Sequence, residues 1–187
     1  MAWLINEGCN YLTSGQVPER RGNAHPNIVP YDAFEASDGH LLIAVGNDSQ
    51  FARVCDAIGL PELGQDKRYV TNMGRIENRE TLIPTLRKVI ATLSKAEILE
   101  KLRAVKVPCG PIHDVAEALG SDQAQARGTV VKVARDDVMD GHLSLLANPL
   151  KFSATPVRYD LPPPRFGQDT ETVLATLTST KEPDRKS

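Results

Sequence analysis

Residues 22–34 read GNAHPNIVPYDAF, and through Glu35-Ala36 and the turn Ser37-Asp38-Gly39-His40 they run into LLIAVGNDSQF, residues 41–51. The first part, rich in small and polar residues and braced by Pro26 and Pro30, has no apolar period and predicts a loop. Tyr31 to Ala36 alternates, Leu41 to Val45 is continuously apolar, and Asp38-Gly39 between them is a hairpin signal because glycine accepts positive φ. Asn47 or Asp48 then caps a helix whose apolar stripe is Phe51, Val54, Cys55 and Ile58, ended by Gly59 and Pro61. Loop, hairpin and helix in this order predict an α/β unit.

Upstream, Trp3, Leu4, Cys9 and Leu12 have near-helical spacing and Thr13-Ser14-Gly15 ends the run. From Gly15 to Pro30 an exposed connection is expected, and structureless stretches of that length are usually functional or ordered by something else. Downstream, Leu60 to Gly74 reads as a polar connector anchored by Tyr69 and Val70. A long helix is expected over 76–93, with Leu82, Ile83, Leu86, Val89, Ile90 and Leu93 as its stripe and Pro84 as an awkward member. Ser94-Lys95-Ala96-Glu97 is a capping box that opens another helix, buried through Ile98, Leu99, Leu102 and Val105.

Val107-Pro108-Cys109-Gly110-Pro111 breaks the pattern, and the main boundary is placed there. Beyond it come a short capped helix at 114–120, a turn at 123–127, a β-branched strand at 129–134 with 142–146 as its partner, an extended proline-rich stretch and a final helix at 170–177. Lys181 to Ser187 is polar and expected to be disordered. The fold class is thus α/β: a small α+β domain over 1–107, with a β-hairpin and several helices, and a C-terminal α/β segment over 108–187.

Composition narrows the function. The 187 residues are 41% hydrophobic and 25% charged, with a net charge of -2, which fits a globular protein and gives no electrostatic reason to expect nucleic-acid binding. No apolar run approaches the roughly 20 residues of a membrane helix, and the start carries no basic leader, so a soluble cytoplasmic protein is expected. Cys9, Cys55 and Cys109, odd in number and widely spaced, fit reduced thiols. The histidines at 25, 40, 113 and 142 have no ligand spacing, and Gly110-Pro111 keeps Cys109 and His113 off one helix turn, so no metal site is expected. Cys109 lacks a visible activating partner and reads as a small residue in a tight linker. Asp38 belongs to the hairpin and Asp48 to a helix cap, and no acidic residue stands in the desolvated, donor-rich setting that a carboxylate nucleophile needs. Gly22, Asn23, His25 and Asn27 remain: small residues permit close backbone approach and the last two offer donors, so both a ligand cradle and an ordinary surface connection fit them.

The wording of these segments is similar to that of the family III CoA-transferases, which include formyl-CoA and carnitine-type transferases and acyl-CoA racemases. YLTSG, GNAHPNIVPY, the SDG hairpin, AVGNDSQFARVC, the D-K-R-Y and I-E-N-R segments, VPCGPI, NPLKFSATP and PPPRFGQDTETVL carry the likeness in order over nearly the whole chain. The resemblance implies the C-terminal half of an enzyme about twice this length. In that family an aspartate on a Rossmann-like half attacks the acyl-CoA thioester to form a mixed anhydride. CoA thiolate returns to give an aspartyl-CoA thioester, and an acceptor carboxylate completes the exchange. The motif around that aspartate has no match here, so no catalytic residue is carried over. Residues 1–107 correspond to the small domain and 108–187 to the segment that returns to the large one. The loop matching Gly22 to Asn27 closes over the active site in some members; His25-Pro26-Asn27 replaces most of its glycine run, which argues against a fully mobile lid. The expected ligands are an acyl-CoA and a carboxylic acid, acting through the full-length enzyme, and the expected partner is a second copy or an N-terminal half. A 2-methylacyl-CoA racemase fragment and a non-enzymatic partner-binding module are the alternatives.

Overall fold

The structure, a computed structural model, describes residues 3–179. The chain divides into two compact units, residues 1–113 and 114–187.

The first unit opens with α1 (Ile5–Ser14) and a connection without regular structure up to Pro30. The hairpin follows: β1 (Tyr31–Ala36) pairs antiparallel with β2 (Gly39–Ala44), with Phe34 opposite Leu41 and Ala36 opposite Gly39. Gly39 has φ 141, the positive value that the Asp-Gly turn predicted. Burial alternates along both strands: Asp32, Phe34 and Ala36 on β1 share a face with Leu41, Ile43 and Val45, as the period of two requires. Onto that face pack α2 (Asp48–Ala57) through Phe51, Val54 and Cys55, α5 (Arg79–Ile90) through Leu82, Leu86 and Ile90, and α6 (Lys95–Ala104) through Ile98, Leu99 and Leu102. The Asn47 side chain caps α2, and the Ser94–Glu97 box caps α6.

Four readings of this unit change. The first helix begins at Ile5, later than expected, and none of its residues is buried. The connector holds α3 (Pro61–Gln65), with Pro61 in its first turn, and its expected anchor Val70 is 39% exposed whereas Tyr69 is buried. The helix expected over 76–93 is α5, shorter at both ends, and the end of the expected connector forms a separate helix, α4 (Asn72–Glu77), with a break at Asn78. The break follows from tight packing, because a Cβ on Gly74 would lie 2.5 Å from the Arg68 carbonyl oxygen and the Asn78 side chain donates to the Gly74 carbonyl at 2.8 Å. Pro84 therefore lies inside α5, on its exposed side, where the hydrogen bond it cannot make falls away from the core. Finally, Cys109–Pro111 forms a third strand, β3, antiparallel to β2 with Ile43 opposite Cys109. An edge position tolerates its proline, and this pairing keeps residues 109–113 with the first unit, a few positions beyond the expected boundary.

In the second unit, Asp114 and Glu117 form a capping box for α7 (Val115–Gly120), and Ser121 caps α8 (Asp122–Ala126). β4 (Val130–Ala134) pairs antiparallel with β5 (His142–Leu146). An extended stretch leads to α9 (Thr170–Ser179). Among the described residues of this unit only Val133 is buried. The expectation for 181–187 lies outside the described residues.

Candidate functional site

The loop before the hairpin is held through the backbone groups of His25, Pro26, Asn27 and Val29. Gly22 takes φ 63, a left-handed turn that glycine permits, and Asn23 stands exposed on it. The His25 amide donates to the Tyr31 carbonyl at 2.8 Å, and the His25 ring stacks on Tyr31 with centroids 5.3 Å apart. Two side chains from the following helices grip what comes next. One guanidinium nitrogen of Arg79 donates to the carbonyls of His25 at 2.9 Å and Pro26 at 3.1 Å. The Asn72 carboxamide donates to the Asn27 carbonyl at 2.8 Å and accepts from the Val29 amide at 3.1 Å. Burial pulls the Arg79 guanidinium below the usual arginine range, and the Arg21 charge adds to the pull.

Polar contacts tie the same loop to α1. The carboxamides of Asn10 and Asn27 donate to each other at 3.1 and 2.9 Å, Arg21 pairs with Glu7 at 3.2 Å, and the Asn6 carboxamide nitrogen lies 3.4 Å from His25 Nε2. Between helix and loop lies a cleft of about 370 Å³ lined by Asn10, Ser14, Val17, Arg21, Pro26 and Asn27 among others. The structure thus brings His25 and Asn27 together against α1, and sets Gly22 and Asn23 apart on the turn.

Beneath the loop lies a residue that composition and spacing did not single out. Arg75 is fully buried at 1% exposure and donates to the Val29 carbonyl at 2.6 Å, the Tyr69 carbonyl at 2.9 Å and the Asp48 carboxylate at 2.9 Å. It also lies over the Phe51 ring at 4.6 Å. Asp48, expected as a cap, is instead the ion-pair partner of Arg75, and Asn47 is the cap.

Elsewhere the chemistry is subdued. Asp32 is the buried carboxylate that the sequence reading overlooked; it pairs with Arg87 at 2.9 Å and accepts the Ala33 amide at 2.8 Å. Burial pushes the Cys109 thiol up, with Arg103 pulling the other way, the reverse of an activated thiolate. Among the described residues no group of three or more His, Cys, Asp or Glu side chains could hold a metal, and no helix is long and apolar enough to cross a membrane.

The chain belongs to CoA-transferase family III, whose sequence model matches residues 1–170. It is 38% identical over 178 residues to the succinate–glutarate CoA-transferase of Agrobacterium fabrum, covering 94% of this chain and 44% of that protein. It is also 38% identical over 167 residues to the acetyl-CoA:oxalate CoA-transferase of Acetobacter aceti, covering 89% of this chain and 40% of that one. The crystal structure of a CAIB/BAIF family protein from Brucella suis superimposes with a TM-score of 0.79 at 35% identity, covering 94% of this chain and 45% of the other. The chain therefore spans less than half the length of these relatives.

Proposed function

We propose that this chain is the C-terminal portion of a CoA-transferase that moves CoA between carboxylic acids, at least one of them a small dicarboxylate. The reaction passes through an aspartyl-CoA thioester. The nucleophilic aspartate and most CoA contacts lie on polypeptide outside these 187 residues, so the chain is inactive alone, and its role is to bring the Gly22–Asn27 loop to the edge of the acyl-CoA site. The partner is an N-terminal CoA-transferase half or a second copy, and free thiols at Cys9, Cys55 and Cys109 suit a reducing cytoplasm.

The observation that carries this reading is the orientation of α1. Its polar residues Asn6, Glu7 and Asn10 face its own unit through the loop contacts, while Ile5, Leu12 and the preceding Trp3 stand 71%, 83% and 98% exposed. A helix with its apolar residues outward needs a covering surface. The names of the relatives, which pair succinate with glutarate or acetate with oxalate, support the substrate class.

Titration calorimetry with succinyl-CoA tests the loop's part. The expected result is weak saturable binding without turnover, reduced several-fold by Asn27→Ala and by His25→Ala. A flat titration, or variants that bind as the parent does, removes the loop from the ligand's path.

A further inference from the structure

We infer that Asn72 and Arg79 are positioning residues that lock His25 in its Nε2–H tautomer, so that the ring offers a fixed, neutral hydrogen-bond donor to an oxygen of the acyl group or carboxylate. The tautomer rests on the geometry alone; the identity of the accepting oxygen rests on the function proposed above.

Two groups compete for the ring nitrogens. The Asn27 amide lies 3.1 Å from His25 Nδ1, and the Asn6 carboxamide lies 3.4 Å from Nε2. A backbone N–H is a donor only and cannot turn away, whereas a carboxamide can rotate by half a turn and present its oxygen. The shorter contact is also the immovable one. Nδ1 must accept, the proton of the neutral ring sits on Nε2, and the long, exposed Asn6 contact there is the one that an incoming oxygen displaces.

This arrangement holds only while the Asn27 amide is aimed at the ring. Its aim is set by the peptide units on either side, and those are the units that Arg79 grips at the carbonyls of His25 and Pro26 and that Asn72 grips at the Asn27 carbonyl and Val29 amide. Stacking on Tyr31 fixes the ring plane. Both gripping side chains come from α4 and α5, over 40 positions along the chain, so the loop inherits the rigidity of the helical layer. Preorganised donors aimed at an acyl oxygen are what acyl-transfer chemistry uses, because their orientation need not be found during the reaction.

Nitrogen-15 NMR of the His25 ring in the 187-residue chain, without ligand and at an alkaline pH where the ring is neutral, reads the tautomer directly. The expected spectrum shows the Nε2–H form alone. In Arg79→Met and Asn72→Asp the single form gives way to a mixture, and exchange of the Asn27 amide rises about tenfold as local protection is lost. Asn72→Asp guards against a trivial result. It leaves the Thr71 cap intact and puts a carboxylate in the first turn of α4, where the helix dipole favours it, so the fold persists while the donor to the Asn27 carbonyl is gone. An Nδ1–H ring in the parent chain, or a single Nε2–H form that survives in a folded variant, overturns the inference. A chain with the predicted tautomer that gives a flat acyl-CoA titration removes the loop from the ligand's path, and with it the accepting oxygen named here, while the tautomer assignment stands.

Discussion

Individual residues carry the sharpest tests. Burial, reinforced by Asp56, pushes the Cys55 thiol up to about 12. It therefore stabilises the fold fully below its ordinary value of 9.0, and that contribution is lost as the pH rises towards 12. In the native protein at pH 8, a disulfide reagent is expected to modify exposed Cys9 rapidly and Cys55 only on unfolding; equal rates at both would contradict its place in the core. Arg75→Met leaves the Val29 and Tyr69 carbonyls without their donor and removes the partner of Asp48, and urea denaturation should register a loss of about 3 kcal/mol. A loss below about 1 kcal/mol would mean that water replaces the guanidinium. Asp137 is held down to about 2 by the hydrogen-bonded Arg135 guanidinium. Its stabilising part is complete above the ordinary 3.8 and vanishes as the pH falls through 2; solvent exposure keeps it small. An NMR titration should place its midpoint near 2 and return it towards 3.8 in Arg135→Gln. What the sequence hid at this scale were the long-range roles. Arg75 and Arg79 reach carbonyls that lie about fifty positions away in the chain, and no periodicity records such a reach. The I-E-N-R segment marked the place without disclosing the contacts.

At the scale of elements, local signals were read well. The Asp-Gly turn, the Asn47 cap and the Ser94–Glu97 box all act within a few residues, and each stands where its pattern put it. Ser94→Ala should cost about 1 kcal/mol of stability, since it takes the hydroxyl acceptor from the Glu97 amide; no change in a thermal melt would show that the box is idle. The misread elements are those decided by distant packing. The split of α4 from α5 follows from the press of Gly74 on the Arg68 carbonyl. The β3 strand, three residues that follow Pro108 and end on Pro111, exists because β2 offers an unpaired edge. The loop at 22–27 was legible as a loop, and His25 and Asn27 as the polar side chains that make it a candidate site. That α1 would meet them through Asn6 and Asn10 was not, because those asparagines sit on a helix whose apolar spacing drew the eye to its other side.

For the molecule as a whole, the exposed apolar residues weigh most. Leu12 on α1 is 83% exposed, and in the second unit Leu161 and Phe166 stand at 86% and 110%. Together with a length under half that of its relatives, they are the basis for reading the chain as part of a larger transferase. The most direct test is a thioester-exchange assay on the pure 187-residue chain, with labelled succinyl-CoA as donor and glutarate as acceptor. The account predicts no transfer of CoA, whatever acyl-CoA binding the loop retains. Sustained exchange by the pure chain would contradict it, and would require a nucleophile among the carboxylates described here.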